Sequence, residues 1–403
     1  LYTQKFKGVV PKFIDRLYQE RVNAKNKMIS LSKESKKIKD PAEISKIEEK
    51  IMDLDTIQNV YKLILNSIYG VFGQKYSPLF DIDHAASITL TGQAVVKQAS
   101  EIIYDYVKSK NIECEKSAIY KYGDTDSCYF SIQPILDHFN VELLDNKITD
   151  KSYSIINEIG DYLNKGIIEW AKSELKSTDP RFIFKQEAIC DVAVFMEKKR
   201  YIMHVLESEG VVPKKPFKYV GVEVIRSSFS DATKNLIKNV IESAILSQDK
   251  EASNKILKSA YQQFCNFPIT DIAFRTKISD IEKQKRKITS DGKIGLGTPI
   301  HAKGAIHFNN MLKHFDLEGR YESIGSGIKI KWFYPSKNSF NFNAMAFLDE
   351  FPSEFNPIFT INHSKMFDKS VTPPVKRLYD CIGWQLPQIT LETHTNLFDL
   401  LGD

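Results

Sequence analysis

Apolar residues recur at helical spacing from Val10 to about Ser32, at Phe13, Ile14, Leu17, Tyr18 and Val22. The spacing predicts a helix with these side chains turned inward. Lys33-Glu-Ser-Lys-Lys-Ile-Lys39 breaks the pattern, and Asp40-Pro41 follows. Asp before Pro is a helix start, with Asp as N-cap and Pro at the first helical position. Ile44, Ile47, Ile51, Leu54 and Tyr61 then form one stripe, and Gly70 reads as its stop. The pattern predicts two long antiparallel helices joined at a basic tip, which reads as a solvated turn. Away from the stripes, Arg21 and Lys25 lie four apart, while Lys62, Asn66 and Tyr69 follow i, i+4, i+7. On spacing alone these are ordinary solvent faces.

A third helix is expected from Asp83 to Tyr106, with Ala85, Ile88, Val95, Ile102 and Tyr106 inward. Ala118-Ile-Tyr-Lys-Tyr122 alternates like a half-buried strand. So does Cys128-Tyr-Phe-Ser-Ile132, and Pro134 stops that run. Two strands around Gly-Asp predict a hairpin with Asp124 and Asp126 at its tip. An acidic turn alone is commonly only turn chemistry, because Asp caps its own backbone. Residues 135–175 give two helical patterns, the second with Ile168, Trp170 and Ala171. Residues 182–196 hold strand-like runs, Glu197-Lys-Lys-Arg-Tyr201 follows, and residues 202–206 continue as a strand. Ser230 is an N-cap for a helix carrying Leu236, Ile237, Val240, Ile241 and Ile245, and another helix runs from about Lys250 to Phe264. Asp291-Gly-Lys-Ile-Gly-Leu-Gly-Thr298 lacks Gly-Lys-Ser/Thr and joins no strand to a helix, so it reads as a mobile loop.

Composition narrows the class. With 403 residues, 42% of them hydrophobic, the chain can fill two or three cores. A net charge of +5 permits a polyanionic partner without requiring one. The 5 cysteines are scattered, odd in number and without Cys-x-x-Cys spacing, which suits a reducing compartment and no zinc framework. No apolar run spans a bilayer and no signal peptide is visible, so no membrane is expected. The chain opens on Leu1 rather than Met and reads as a piece of something longer.

Tyr122-Gly-Asp-Thr-Asp-Ser127 is a long, specific string that resembles the catalytic hairpin of family B DNA polymerases. Lys62-Leu-Ile-Leu-Asn-Ser-Ile-Tyr-Gly70 resembles their fingers motif, Lys-x-x-x-Asn-Ser-x-Tyr-Gly, and Glu20-Arg-Val-Asn-Ala-Lys25 the partner helix. Lys198-Lys-Arg-Tyr201 resembles their Lys-Lys-x-Tyr motif. The T-even bacteriophage replicative enzymes look nearest. The resemblance implies template-directed nucleotidyl transfer to a primer 3′-hydroxyl, with two Mg²⁺ ions clamping an in-line displacement. It makes Asp126 the metal ligand with Asp124 its close partner, and sets Glu187 where the family carries a nearby acid. Arg21, Lys25 and Lys62 would grip the triphosphate, Arg through its bidentate fork. Asn66, Tyr69 and Gly70 would border the nascent base pair. Tyr122, Thr125, Lys198, Lys199 and Tyr201 would contact primer-template DNA. His301, Lys303 and Gly304 belong to Thr298-Pro-Ile-His-Ala-Lys-Gly-Ala-Ile-His-Phe-Asn-Asn310, which is similar to a thumb segment facing duplex. Leu397, Phe398, Leu400 and Leu401 resemble a sliding-clamp-binding tail.

The fold class implied is α+β: helical-hairpin fingers over residues 1–76, a palm with antiparallel β-sheet and packed helices over 77–226, a mainly helical thumb over 227–390, and the clamp-binding tail over 391–403. One family motif is not found. Asp-x-x-Ser-Leu-Tyr-Pro-Ser, whose Asp supplies another metal carboxylate, precedes the fingers in that family. The expectation is therefore a carboxy-terminal portion, working with an amino-terminal half on deoxynucleoside triphosphates in the cytoplasm of an infected bacterial host. A non-catalytic DNA- and clamp-binding module is the alternative.

Overall fold

The computed structural model describes residues 6–141, 148–287, 294–295 and 297–389. Residues 291–293 and 296 of the glycine-rich stretch, and Leu397, Phe398, Leu400 and Leu401, lie outside the described residues. The chain divides into two compact units, residues 1–191 with 205–216 and residues 192–204 with 217–403.

The first unit opens with α1 (Val9–Ser35) and α2 (Pro41–Gly73). Asp40 caps α2, its carboxylate accepting from the Ala42 N–H at 3.3 Å, and Pro41 sits just inside. Their seam is narrow. Ile14, Leu17, Ala24 and Met28 meet Ile44, Ile47, Ile51, Leu54, Gln58 and Tyr61 as buried or half-buried residues. A helix pair covers only about two positions in seven. Phe13 and Tyr18, expected inside, are therefore 43% and 45% exposed. Arg21 falls on the seam side instead and is half-buried. Gly70 does not stop α2, which runs on to Gly73. At Gly70 an added Cβ would meet nothing within 4 Å, so the helix simply continues through it.

α3 (Ile82–Ser109) starts from Asp81, whose carboxylate accepts from the His84 N–H. It buries Ala85, Val95, Ile102 and Tyr106, while Ile88 is left exposed. The short α4 (Lys116–Ile119) leads into β1 (Tyr120–Asp124) and β2 (Ser127–Phe130), followed by α5 (Gln133–His138) and α6 (Asp150–Ser173). Pro134 opens α5 rather than only ending a strand. α6 turns Ile155, Ile159, Leu163, Ile167 and Ala171 inward at helical spacing. It packs on α3 at Gly166, where an added Cβ would lie 2.9 Å from Ile102. Each fully buried aliphatic side chain here contributes about 1.5–3 kcal/mol.

Next come β3 (Ala188–Glu197), β4 (Arg200–Ser208) and β5 (Phe217–Val220), hydrogen-bonded in that order. Phe182 and Phe184, read as part of a strand, precede β3 and pack on the first core. Asn164 of α6 pins them by bonding both the N–H and the carbonyl of Phe184, which takes these groups from any strand partner.

The second unit is built on α7 (Asp231–Ser247) and α8 (Lys250–Cys265), with Ser230 capping α7 as expected. Short α9 (Ile269–Ile272), β6 (Phe274–Lys277) and α10 (Ile281–Lys285) precede α11 (Ile300–His314), β7 (Lys329–Phe333), β8 (Met345–Phe347), α12 (His363–Ser370) and α13 (Thr372–Cys381). Strands β6, β7 and β8 form an antiparallel sheet, and α11 lies on it. Phe333, Phe347, Phe355 and Phe359 fill the core beside them.

Burial lowers the pKa of His301, His307 and His363 in this unit. His307 stacks on Phe342 at 3.8 Å and bonds the Ala344 carbonyl through Nδ1 at 2.9 Å. A histidine kept neutral by folding takes up more protons when unfolded, so stability falls as pH drops below the ordinary value near 6.5. We expect the melting temperature to decline from about pH 7 to pH 5. His307→Gln should melt lower at pH 7 but lose less on acidification. An equally steep decline in the variant would assign the effect to other groups.

Candidate functional site

The acidic hairpin is tight. Thr125 and Asp126 form its two-residue loop, and Asp124 is the last residue of β1, paired with Ser127. The turn is therefore centred two residues beyond the expected Gly-Asp. Asp124 Oδ1 accepts from the Thr125 N–H at 2.8 Å and from its hydroxyl at 3.1 Å, which fixes the carboxylate. Asp126 is exposed. An irregular register beside Lys121 separates Tyr120 opposite Phe130 from Tyr122 opposite Tyr129. The two tyrosine rings of the latter pair lie 5.6 Å apart.

One face of the hairpin rests on α3. Cys128 Sγ donates to the Val96 carbonyl at 3.7 Å, and burial pushes its thiol up to about 11. Gly123 is opposite Cys128, and a Cβ there would fall 2.1 Å from the Tyr120 hydroxyl and 3.4 Å from Val96. The hairpin thus sits directly on the helix because Gly123 has no side chain. Tyr122, Asp124, Ser127 and Tyr129 fall on the other face by strand alternation. Gly123→Ala should cost about 1–3 kcal/mol, the usual range for overpacking. In a Tyr120→Phe background the nearest ring atom, Cζ, would be at 3.3 Å, so the cost should drop. Denaturant unfolding of the four proteins tests this; equal costs in both backgrounds would place the strain elsewhere.

Among the described residues, no three His, Cys, Asp or Glu side chains form a group able to hold a metal ion. Asp124 and Asp126 offer the carboxylate oxygens a hard cation takes, but as a partial set. Glu187 does not complete it. It is exposed, just before β3, and its carbonyl accepts from the Glu209 N–H at 3.0 Å. The family resemblance places Glu187 near the metal, and among the described residues it forms no metal-holding group with Asp124 and Asp126.

The helical pair presents the expected cations unequally. Tyr61 donates to Glu20, and that carboxylate raises the Tyr61 pKa. The contact sets Arg21 and Lys62 at one level of the pair, with Lys25 a turn further along. Lys62, Asn66, Tyr69 and Gly70 are exposed. Among the described residues, Arg21 Nε is buried without a hydrogen-bond partner. Lys25 forms an ion pair with Glu209 in the connection between β4 and β5. That connection follows the outer part of the pair: Lys36 Nζ donates to the Val212 carbonyl at 3.2 Å, and Lys214 pairs with Glu48 at 2.7 Å. Sequence reading had no signal for this brace, because ion pairs between distant segments leave no local period.

In the second unit, Lys198 and Lys199 form an exposed turn between β3 and β4, with Lys199 at φ 61°. Tyr201 is buried, its ring 5.5 Å from Phe195, so it fixes the strand and does not share the lysines' exposure. His301 and Lys303 are half-buried on α11. Gly304 is buried, and a Cβ there would come 3.1 Å from the Met345 carbonyl carbon. The close approach that glycine permits in this structure is to β8. No described helix is long and apolar enough to cross a membrane.

A family model described as DNA polymerase family B matches residues 2–285. DNA polymerase 037L of Invertebrate iridescent virus 6 is 26% identical over 298 residues, covering 70% of this chain and 22% of the relative. The DNA-directed DNA polymerase of Escherichia phage RB69 is 24% identical over 372 residues, 78% of this chain and 39% of the relative. That of Enterobacteria phage T4 is 24% identical over 341 residues, 80% and 36%. The chain thus spans only about a fifth to two fifths of the length of these relatives.

Proposed function

Because the chain belongs to the family B DNA polymerases, we propose that it is the carboxy-terminal portion of a replicative DNA-directed DNA polymerase, completed by an amino-terminal half. The observation that carries this reading is the hairpin tip, where Asp124 and Asp126 stand together without a third ligand among the described residues. Asp126 and Asp124 would hold Mg²⁺ jointly with a carboxylate from the other half and with substrate phosphates. The bound ions would supply polarisation of the attacked α-phosphate and stabilisation of the leaving oxygen.

The remaining tasks fall to the chain's own side chains. Lys62 is exposed on α2, suited to a triphosphate as a compact charge. Arg21 and Lys25 flank it on α1. Asn66, Tyr69 and Gly70 would shape the space for the nascent base pair. Thr125 holds the Asp124 carboxylate through two hydrogen bonds, so that it need not reorganise as charge develops. Lys198 and Lys199 would meet duplex phosphates and position DNA without reading bases, with Lys303 contributing from α11. The carboxy-terminal Leu397, Phe398, Leu400 and Leu401 would insert into a sliding clamp, a reading that rests on sequence. The phage relatives support a reading in which it acts in the cytoplasm of an infected bacterial host.

The two-stranded sheet of β1 and β2 supports the need for another segment, since a lone hairpin leaves edges that pair with further strands. Residues 1–403 alone are expected to bind primer–template but not extend it. Adding an amino-terminal half that carries the missing palm motif should restore extension with Mg²⁺ and nucleotides. Robust extension by residues 1–403 alone would sink the divided-site reading. Association of the halves without extension would favour a non-catalytic DNA- and clamp-binding module.

A further inference from the structure

Glu223 is an acid in an apolar run, Val222-Glu-Val224, just after β5. It is 7% exposed. Three arginines from separate segments converge on it among the described residues: Arg200 Nη1 at 3.7 Å, Arg226 Nη2 at 3.7 Å, and Arg377 of α13. Glu223 Oε2 and Arg377 Nη2 are buried and have no hydrogen-bond partner among the described residues, so their ion pair is what compensates their desolvation. Arg200 also reaches Glu197 at 3.6 Å, on the other side of the exposed lysine turn.

Backbone geometry links this cluster to that turn. Gly221, at φ 66°, lies so close that a Cβ would fall 2.1 Å from the Lys199 carbonyl oxygen and 3.1 Å from Arg200 Cγ. Val220 pairs with Tyr201 immediately beside it. The turn that presents Lys198 and Lys199 is therefore pressed against the segment carrying Glu223, and Arg200, the next residue, is gripped by Glu223.

We propose that Glu223 is a positioning residue for duplex-DNA binding: through Arg200 it fixes the turn of Lys198 and Lys199, and through Arg377 it ties α13 to that turn. This rests on the assignment of the two lysines to DNA phosphates. It makes an unusual demand on a carboxylate. A negative charge near a DNA-binding surface opposes binding by Coulomb repulsion, and its removal should tighten the complex. If Glu223 holds the lysines in place, its neutralisation weakens binding instead.

The test is fluorescence anisotropy of the full chain on one fluorescent duplex across a salt series. Glu223→Gln is expected to bind more weakly and to lose about 1–2 from the magnitude of the log–log salt slope, one phosphate contact being worth about 0.9. Lys198→Ala with Lys199→Ala should lose a similar slope, and adding Glu223→Gln to that pair should change little, since it acts through the same lysines. Tighter binding by Glu223→Gln at an unchanged slope, or full additivity with the lysine pair, overturns the proposal. A lysine pair without effect sinks the DNA-phosphate assignment itself, a separate outcome. Thermal melting accompanies each variant. If Glu223→Gln does not fold, Arg377→Gln takes its place, removing a single tether. It should lose part of the slope, and an unchanged slope in that variant overturns the proposal.

Discussion

Asp126→Asn is expected to abolish primer extension by the assembled enzyme while leaving the fold intact. The side chain stands exposed in a two-residue loop, so the change removes charge without opening a cavity. Amide for carboxylate is nearly isosteric, and the Thr125 hydrogen bonds belong to Asp124 rather than Asp126. The melting temperature should therefore hold. What is lost is a charged oxygen ligand, and metal stabilisation of a phosphoryl transition state is worth several kcal/mol. At about 1.4 kcal/mol per tenfold in rate, the loss is on the order of 10³-fold. Single-turnover extension beside a thermal melt decides it. Extension within about tenfold of wild type would place the metal elsewhere, and a collapsed melt would mean that the loop carries structure instead of chemistry.

Lys62→Ala should reduce nucleotide use about 10- to 100-fold, the equivalent of a charge-assisted hydrogen bond of roughly 1.5–3 kcal/mol. Primer–template affinity should stay nearly constant. Lys62 is the sharpest of the three candidate cations, because it is exposed on α2 whereas Lys25 is paired with Glu209 and Arg21 is partly in the seam. Lys25→Ala should accordingly cost less than Lys62→Ala, since the wild-type lysine must first leave its carboxylate. Incorporation rates against nucleotide concentration measure both. Unchanged efficiency in both variants would return these lysines to the status of solvated charges.

Local chemistry made much of this architecture readable. Asp40-Pro41 and Ser230 are caps whose side chains satisfy N–H groups two or three residues away, so the sequence carries them directly. The period of Ile155, Ile159, Leu163 and Ile167 reports a helix with one covered face. The acidic hairpin was legible for the same reason, apart from the exact centre of its turn. Tertiary contact was not. Gly304 lets β8 pass close, a contact that no local pattern along the sequence reports. β6, reading Phe-Arg-Thr-Lys, was hidden within a lysine- and arginine-rich stretch, although its register with β7 puts Phe274 opposite Trp332. Glu223 did leave a trace, an acid between two valines with Arg226 three residues on, but its partners Arg200 and Arg377 lie elsewhere in the chain.

The long helical pair is also a lever. At 1.5 Å per residue, α1 extends about 40 Å, while Lys62 stands roughly 16 Å along α2 from Gly73. Its fulcrum is where α2 meets α3, with Phe72 stacked on His84 at 4.8 Å. Lys36 and Glu48, which touch the β4–β5 connection, lie near the far end. Exposed ion pairs contribute only about 0–1 kcal/mol each to stability. Torque, however, scales with distance from the fulcrum, so a weak contact at the tip opposes rotation more than an equal contact at Lys62. Raising the ionic strength screens the Lys214–Glu48 pair. It should thereby soften any swing of Lys62 and the residues around it well before it unwinds either helix.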